Sequence, residues 1–113
     1  MSKLLRTHNK SLESFALSTT IASAWSPAAG RRVRLMGASV KESAGTAVTV
    51  AVTNGTAVAS GTLGHFELGA NESREIDWGD KGLYADLDAE VGLKVLANTS
   101  EITGTLSGRE EGF

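Results

Sequence analysis

The chain has 113 residues, the size of one ordinary domain, and its 41% hydrophobic and 21% charged residues are typical of a globular protein. It contains no cysteine, which excludes disulfides, thiol nucleophiles and cysteine-based metal sites. A net charge of −2 without a basic stripe argues against nucleic acid as a partner. The absence of any run of about 18 apolar residues argues against a membrane-spanning helix.

The N-terminal segment is basic and poor in apolar side chains. Its basic groups are Lys3, Arg6, His8 and Lys10. We interpret residues 1–14 as an extended N-terminal arm, residues 15–110 as one β-sandwich domain and residues 111–113 as a C-terminal tail. Charge and position make the lysines and arginine of the arm candidates for binding a partner.

After the arm, the alternation predicts a strand around residues 31–35. Val33 and Leu35 lie on one of its faces, and Arg32 and Arg34 lie on the other. Beyond Gly37 the apolar side chains change face, which predicts a β-bulge at or near that glycine. Two guanidiniums on one strand face can bind acidic groups bidentately. The arginine pair is therefore a candidate partner-binding site, with a solvated polar face as the alternative interpretation.

The clearest strand signal in the chain is the alternation of residues 46–53. Asn54-Gly55 follows directly, a dipeptide that favours a two-residue type I′ hairpin turn. We therefore expect Thr56–Ser60 to be the return strand.

Alternation continues to the end of the domain, with turn residues between the segments. Apolar side chains on shared faces are Phe66 and Leu68, Ile76 and Trp78, Leu83 and Ala85, Val91, Leu93 and Val95, and Ile102 and Leu106. Segments of this length and spacing predict an all-β fold, a single small antiparallel β-sandwich of about eight strands. Jelly-roll and immunoglobulin-like connections both remain open.

Residues for catalysis are few. His8 lies in the arm, and His65 lies on the polar side of a predicted strand with Glu67. A nucleophile needs a base within hydrogen-bond reach and a group that orients it. We interpret His65 as a surface histidine, and we expect neither catalytic residues nor an enzymatic activity.

A group of acidic residues in the second half of the chain is the remaining candidate for chemistry. Its members are Asp77, Asp80, Asp86, Asp88 and Glu90. Their spacing does not match a compact calcium-binding loop. Glycoside hydrolysis would also require a groove lined by aromatic residues, which are scarce here. We interpret these carboxylates as solvated charge and expect no cofactor, while calcium binding stays open.

The two tryptophans, Trp25 and Trp78, each have two interpretations. A tryptophan in a small sandwich belongs to the core or forms an interface hot spot. Trp78 is our candidate for partner binding, and it is also the residue that would form a platform for a sugar ring.

Six segments, taken in order, resemble small virion proteins of tailed bacteriophages. They are Gly30–Leu35, Ser43–Val50, Leu68–Glu72, Gly82–Ala85, Val91–Val95 and Ile102–Leu106. Over residues 14–110 the chain is similar to head decoration or cement proteins and to head-fibre bases.

This resemblance implies an accessory protein that binds the phage major capsid protein on the outside of the shell. It also implies a homo-oligomer, with a trimer favoured, that is made in the host cytoplasm and resides on the capsid surface of the virion. The resemblance implies no catalytic residue and no cofactor for this chain. A tail, neck or fibre module and a carbohydrate-binding adhesive module are the alternatives.

Overall fold

A computed structural model describes residues 6–79 and 81–112, with the backbone alone for residues 6–8. The described residues form nine β-strands: β1 (Arg6–Leu17), β2 (Ala22–Trp25), β3 (Arg31–Glu42), β4 (Val48–Asn54), β5 (Thr62–Leu68), β6 (Ser73–Asp77), β7 (Leu83–Tyr84), β8 (Val91–Val95) and β9 (Ser100–Gly112). The predicted all-β fold is confirmed. No helix in the described part of the chain is long and apolar enough to cross a membrane.

The strands form two antiparallel sheets that pack face to face. The front sheet has the order β1-β9-β3-β6, with β7 paired beside β3, and the back sheet has the order β2-β8-β4-β5. In an immunoglobulin-like sandwich the first two strands share a sheet, whereas here they lie in different sheets. The nested pairing of β1 with β9, β2 with β8, β3 with β6 and β4 with β5 is that of a jelly roll.

One hydrophobic core fills the space between the sheets. Its side chains that are fully shielded from solvent are Val33, Leu35, Val50, Val52, Val91, Leu93, Ile102 and Leu106. All of them lie on strand faces that the period of two predicted to be apolar. The alternation therefore identified the inner faces of both sheets correctly.

The β-bulge predicted near Gly37 is confirmed. The pairing of β3 with β9 shifts register between Leu35 and Gly37. Because one extra residue is inserted there, Leu35 before it and Ala38 and Val40 after it all point into the core. Arg32, which precedes the bulge and alternates with the buried Val33, lies on the outward face of the same strand.

The two-residue turn predicted at Asn54-Gly55 is wrong, although β4 does pair with the next strand, β5, as an antiparallel hairpin with a longer loop. β4 ends at Asn54, and residues 55–61 form a loop before β5 begins, so Thr56–Ser60 is not a strand. The N–H of Gly55 donates to the carbonyl oxygen of Glu90 at 2.7 Å. This bond to a distant segment draws the chain away from the local turn that the dipeptide favours.

β1 runs across the expected boundary between arm and sandwich. It pairs with β9 along its whole length, from Arg6 to Leu17. Its register shifts between Leu12 and Phe15, where Ser14 has a φ of 44°. Residues 6–14 thus form the first part of an edge strand of the front sheet.

β9 continues into the segment expected to be a C-terminal tail. It ends at Gly112, which lies opposite Arg31 of β3. This extension brings Glu111 into the sheet directly opposite Arg32.

A buried carboxylate, that of Glu42 at the end of β3, holds the loops at one end of the sandwich. It accepts hydrogen bonds from the backbone N–H groups of Ala44, Gly45 and Asn71, at 2.9, 2.8 and 2.8 Å, and from the hydroxyl of Ser100 at 2.6 Å. Burial by itself raises the pKa of Glu42, but these bonds, led by that from Asn71, outweigh it and lower the pKa from 4.5 to about 2. Glu42 therefore links the loop after β3 to the loop before β6 and to the start of β9.

Candidate partner-binding surface

Charged side chains converge on the outward face of the front sheet, at the end where β9 finishes. In the antiparallel register Arg32 lies opposite Glu111, and Arg34 lies between Arg109 on β9 and Tyr84 on β7. Residues directly opposite each other in a sheet project from the same face. We call these five residues the arginine–tyrosine patch.

Two guanidiniums of the patch lie against one aromatic ring. The Cζ atoms of Arg32 and Arg34 are 4.6 and 4.9 Å from the centroid of the Tyr84 ring. Each contact of this kind contributes about 0.5–1 kcal/mol at an exposed site. Nε of Arg34 also donates to the carbonyl oxygen of Lys81 at 2.6 Å. The guanidiniums are therefore held in position within the chain itself.

Glu111 bridges the same two guanidiniums. Its Oε1 lies 3.6 Å from Nε of Arg32, and its Oε2 lies 3.4 Å from Nη1 of Arg34. The Glu111 and Arg34 side chains are only 15% and 17% exposed, whereas Arg32 is 36% and Tyr84 is 39% exposed. A partner would therefore meet Arg32 and Tyr84 first, with Glu111 and Arg34 beneath them.

Arg109 adds a third guanidinium to the patch. It lies directly opposite Arg34 and is half-buried. Like charges in this relation destabilise a sheet. No hydrogen bond or salt bridge joins the Arg109 side chain to another side chain in residues 6–79 and 81–112. The described residues of the patch therefore combine three guanidiniums with one carboxylate.

Comparison with known proteins does not indicate a function for this patch. The chain matches no protein-family model, no curated protein and no solved structure.

Lys10, the arm's candidate whose side chain the structure describes, does not lie in the patch. Lys10 leaves β1 on the inward side, opposite Leu106, and its Nζ lies 5.5 Å from the centroid of the Trp25 ring. Lys10 is therefore half-buried against the core. Lys3 and the side chain of Arg6 lie outside the described residues.

Trp78, a further candidate for partner binding, packs against the core. It is half-buried, and its ring centroid is 6.3 Å from that of Phe66, with the two rings tilted by 59°. Trp25 is buried, with 1% of its surface exposed. This packing favours a core role for both tryptophans.

Candidates for catalysis or metal binding do not assemble. His65 and Glu67 are exposed on β5, and no hydrogen bond joins their side chains in the described structure. Among the described residues, no group of three or more His, Asp or Glu side chains is arranged to hold a metal ion. Asp80, one of the acidic residues considered for calcium, lies outside that part of the chain.

Other carboxylates of that acidic group hold loops. Asp77 and Asp88 each accept a hydrogen bond from a backbone N–H, at 2.7 and 2.6 Å. Glu90 accepts one from each hydroxyl of Ser23 and Ser26, both at 2.6 Å, and these bonds lower its pKa. Their oxygens therefore have structural partners within the chain.

A shallow groove of about 450 Å³ lies at the other end of the molecule, between the loops before β6 and after β8. Its lining includes Leu96, which is 60% exposed, and the ion pair of Glu72 Oε2 with Arg74 Nη2 at 3.6 Å. Glu72 also accepts a hydrogen bond from the N–H of Gly69. Two of the charged groups that line this groove, Glu72 and Arg74, thus bind one another.

The sequence pattern points to Arg32 and Arg34 but misses the residues that complete their surroundings. Arg109 and Glu111 follow the last predicted strand, and a continued period of two would have placed both on the outward face. The alternation of Leu83 and Ala85 places Tyr84 on the outward side of a strand, but it does not indicate that this strand pairs with β3 beside Arg34.

Proposed function

We propose that this protein is a structural protein of a tailed-bacteriophage virion that binds the outside of the assembled capsid shell. The observation that best supports binding as its role is the arginine–tyrosine patch, in which Arg32 and Arg34 are held over the Tyr84 ring on a sheet face. Arginine and tyrosine are enriched among the residues that carry binding energy at protein interfaces. The phage assignment draws its support from the resemblance of the six sequence segments.

The proposed mechanism is adhesive and needs no chemical step. A shell to which many copies are bound becomes harder to dissociate, because a ligand that binds only the assembled state stabilises that state by mass action. The partner would be the major capsid protein, and the decorating unit a homo-oligomer, with a trimer favoured. Symmetric repetition of one surface suits such a role.

A carbohydrate-binding module receives less support. Such a module needs an open aromatic ring face, but Trp78 packs against Phe66, and two guanidiniums lie against Tyr84. A tail, neck or fibre module would use the same kind of protein-binding surface, so labelling the protein on the particle separates it from a capsid decoration protein.

The test is co-sedimentation of the purified protein with assembled shells of the phage that encodes it, together with its mass in solution. We expect saturable binding and shells that resist heat better when decorated. Arg32→Gln should weaken binding about tenfold, equivalent to about 1.4 kcal/mol. Lys41→Gln, an exposed change on the outward face of the same strand, should not. Failure of the wild-type protein to bind, with equally stable undecorated shells, would exclude the proposal.

A further inference from the structure

We propose that Asn54-Gly55, where β4 meets the loop of residues 55–61, is a site of self-deamidation that the folded chain protects, and that Glu90 is the residue that maintains this protection. The chain has four asparagines, and Asn54 is the one followed by glycine. A following glycine has no Cβ to hinder attack of its backbone nitrogen on the asparagine side chain. This reactivity is a property of the chain itself and is independent of a capsid partner.

The reaction needs only the chain and water. The Gly55 nitrogen loses its proton to solvent hydroxide and attacks Cγ of Asn54, while the bond from Cγ to the side-chain nitrogen breaks and that nitrogen takes up a proton and leaves as ammonia. Water then opens the succinimide ring at either of its carbonyls, which gives aspartate or isoaspartate at position 54. Isoaspartate adds one atom to the main chain at the point where Asn54 pairs with Val91 of β8.

Both members of the dipeptide have structural roles. Gly55 has a φ of 113°, a conformation that L side chains rarely adopt, and a Cβ there would lie 2.9 Å from Oγ of Ser60. Oδ1 of Asn54 accepts a hydrogen bond of 2.8 Å from the N–H of Asp86, which ties the end of β4 to the segment before β8. The reactive dipeptide is therefore part of how this end of the back sheet is built.

Hydrogen bonds around the dipeptide oppose the attack in the folded chain. The N–H of Gly55 donates to the carbonyl oxygen of Glu90 at 2.7 Å, so the attacking nitrogen is held in place and its proton is bound by an acceptor. The N–H of Asn54 donates to the carbonyl oxygen of Gly61 at 2.9 Å, and its side-chain amide is fixed by the bond from Asp86. Attack requires this region to open, so the rate follows the population of the locally opened state.

Glu90 is itself anchored by three side-chain hydrogen bonds. Its Oε1 accepts one from each hydroxyl of Ser23 and Ser26, both at 2.6 Å, and the side chain of Thr56 bonds the same carboxylate. The carboxylate thus binds β2, the residue that follows it and the loop itself, while the carbonyl of the same residue binds Gly55. Loss of the carboxylate should therefore release this segment and favour opening of the Gly55 bond.

Peptide mapping by mass spectrometry, after incubation at mildly alkaline pH, measures the reaction at position 54. The folded wild type should deamidate at least about tenfold more slowly than the same chain unfolded in urea, because the folded chain reacts only through local opening. Glu90→Ala should raise the folded-state rate about three- to tenfold. Glu67→Ala, at an exposed position of β5, is the matched control and should leave the rate unchanged. Equal rates in the folded and unfolded wild type, or an unchanged rate in folded Glu90→Ala, would overturn the inference.

Amide hydrogen exchange distinguishes local opening from general loss of stability. Exchange of the Gly55 amide should accelerate in Glu90→Ala by the same factor as deamidation, while exchange of the Val52 amide, within β4, should accelerate less. If Glu90→Ala does not fold, Ser26→Ala removes one of its hydrogen bonds at an exposed position and should raise both Gly55 rates by a smaller factor. Faster deamidation without faster Gly55 exchange, or with equally accelerated Val52 exchange, would contradict the role of Glu90.

Discussion

The indole Nε1 of Trp25 donates a hydrogen bond of 2.9 Å to Oε2 of Glu110 inside the sandwich. Oε1 of the same carboxylate accepts a bond of 2.8 Å from the N–H of Ala28. Trp25 lies on β2 of the back sheet and Glu110 on β9 of the front sheet, and both are buried. The pair therefore joins the two sheets and anchors the segment that leads into β3.

Loss of the Glu110 carboxylate should be costly for this reason. Glu110→Ala leaves the N–H donors of Trp25 and Ala28 without this acceptor, and we expect the free energy of unfolding to fall by about 2–4 kcal/mol. Urea denaturation followed by tryptophan fluorescence measures the change. Glu101→Ala, at an exposed position of the same strand, should change stability by less than about 0.5 kcal/mol. Equal effects of the two substitutions would contradict the structural role of Glu110.

Because of Glu42, the free energy of unfolding should decrease as the pH falls below about 4.5. Its pKa is 4.5 in the unfolded chain and about 2 in the folded protein, so the unfolded state takes up the proton first as pH falls. The contribution of Glu42 is therefore complete above about pH 4.5 and is lost as pH falls towards about 2. Urea midpoints measured across this range for the wild type and for Glu42→Gln give the comparison.

The Glu42→Gln variant should be less stable than the wild type at pH 7, and the difference should shrink below pH 4.5. Glu67→Gln, at an exposed position, should keep the acid dependence of the wild type. If Glu42→Gln lost stability over the same pH range as steeply as the wild type, another group would be responsible.

Gly104 should not tolerate a side chain. It has a φ of 154°, and a Cβ at this position would collide with the carbonyl oxygen of Ser39 on the neighbouring strand. Gly104→Ala should lower the free energy of unfolding by at least about 2 kcal/mol or prevent folding. Gly61→Ala, where a Cβ would meet no atom within 4 Å, should fall within about 0.5 kcal/mol of the wild type. Thermal and urea unfolding of the two variants provide the test.

Substitution of Trp78 tests whether this residue contributes to packing of the core or to partner binding. Because it is half-buried against Phe66, we expect Trp78→Ala to lower the free energy of unfolding by about 2–3 kcal/mol. Shell binding by the folded fraction should be unchanged. The opposite result, unchanged stability with lost binding, would make Trp78 an interface residue, as its candidacy from the sequence supposes.

Strands with apolar alternation could be recognised from the sequence, whereas others could not. Val50 and Val52 lie on one face of a regular pattern that needs no knowledge of the partner strand. The first part of β1, from Arg6, has little apolar content and becomes a strand through its pairing with β9. β2, with four residues ending at Trp25, is too short for a clear period.

The local turn preference of two neighbouring residues also did not predict the observed loop. Asn54-Gly55 favours a tight hairpin in isolation. In the folded chain Gly55 instead donates to the carbonyl of Glu90, and β5 begins only at Thr62. A bond to a distant segment outweighed a preference encoded in two neighbouring residues.

Composition and alternation were enough to establish an all-β domain, the inner faces of its sheets and the outward position of Arg32 and Arg34, because those properties depend on residues close together in the chain. Strand pairing was needed to place Arg109 opposite Arg34 and Tyr84 beside both. Pairing also distinguished the jelly roll from the immunoglobulin-like alternative. These relationships join segments far apart in the chain, and their energies arise only when the sheets form.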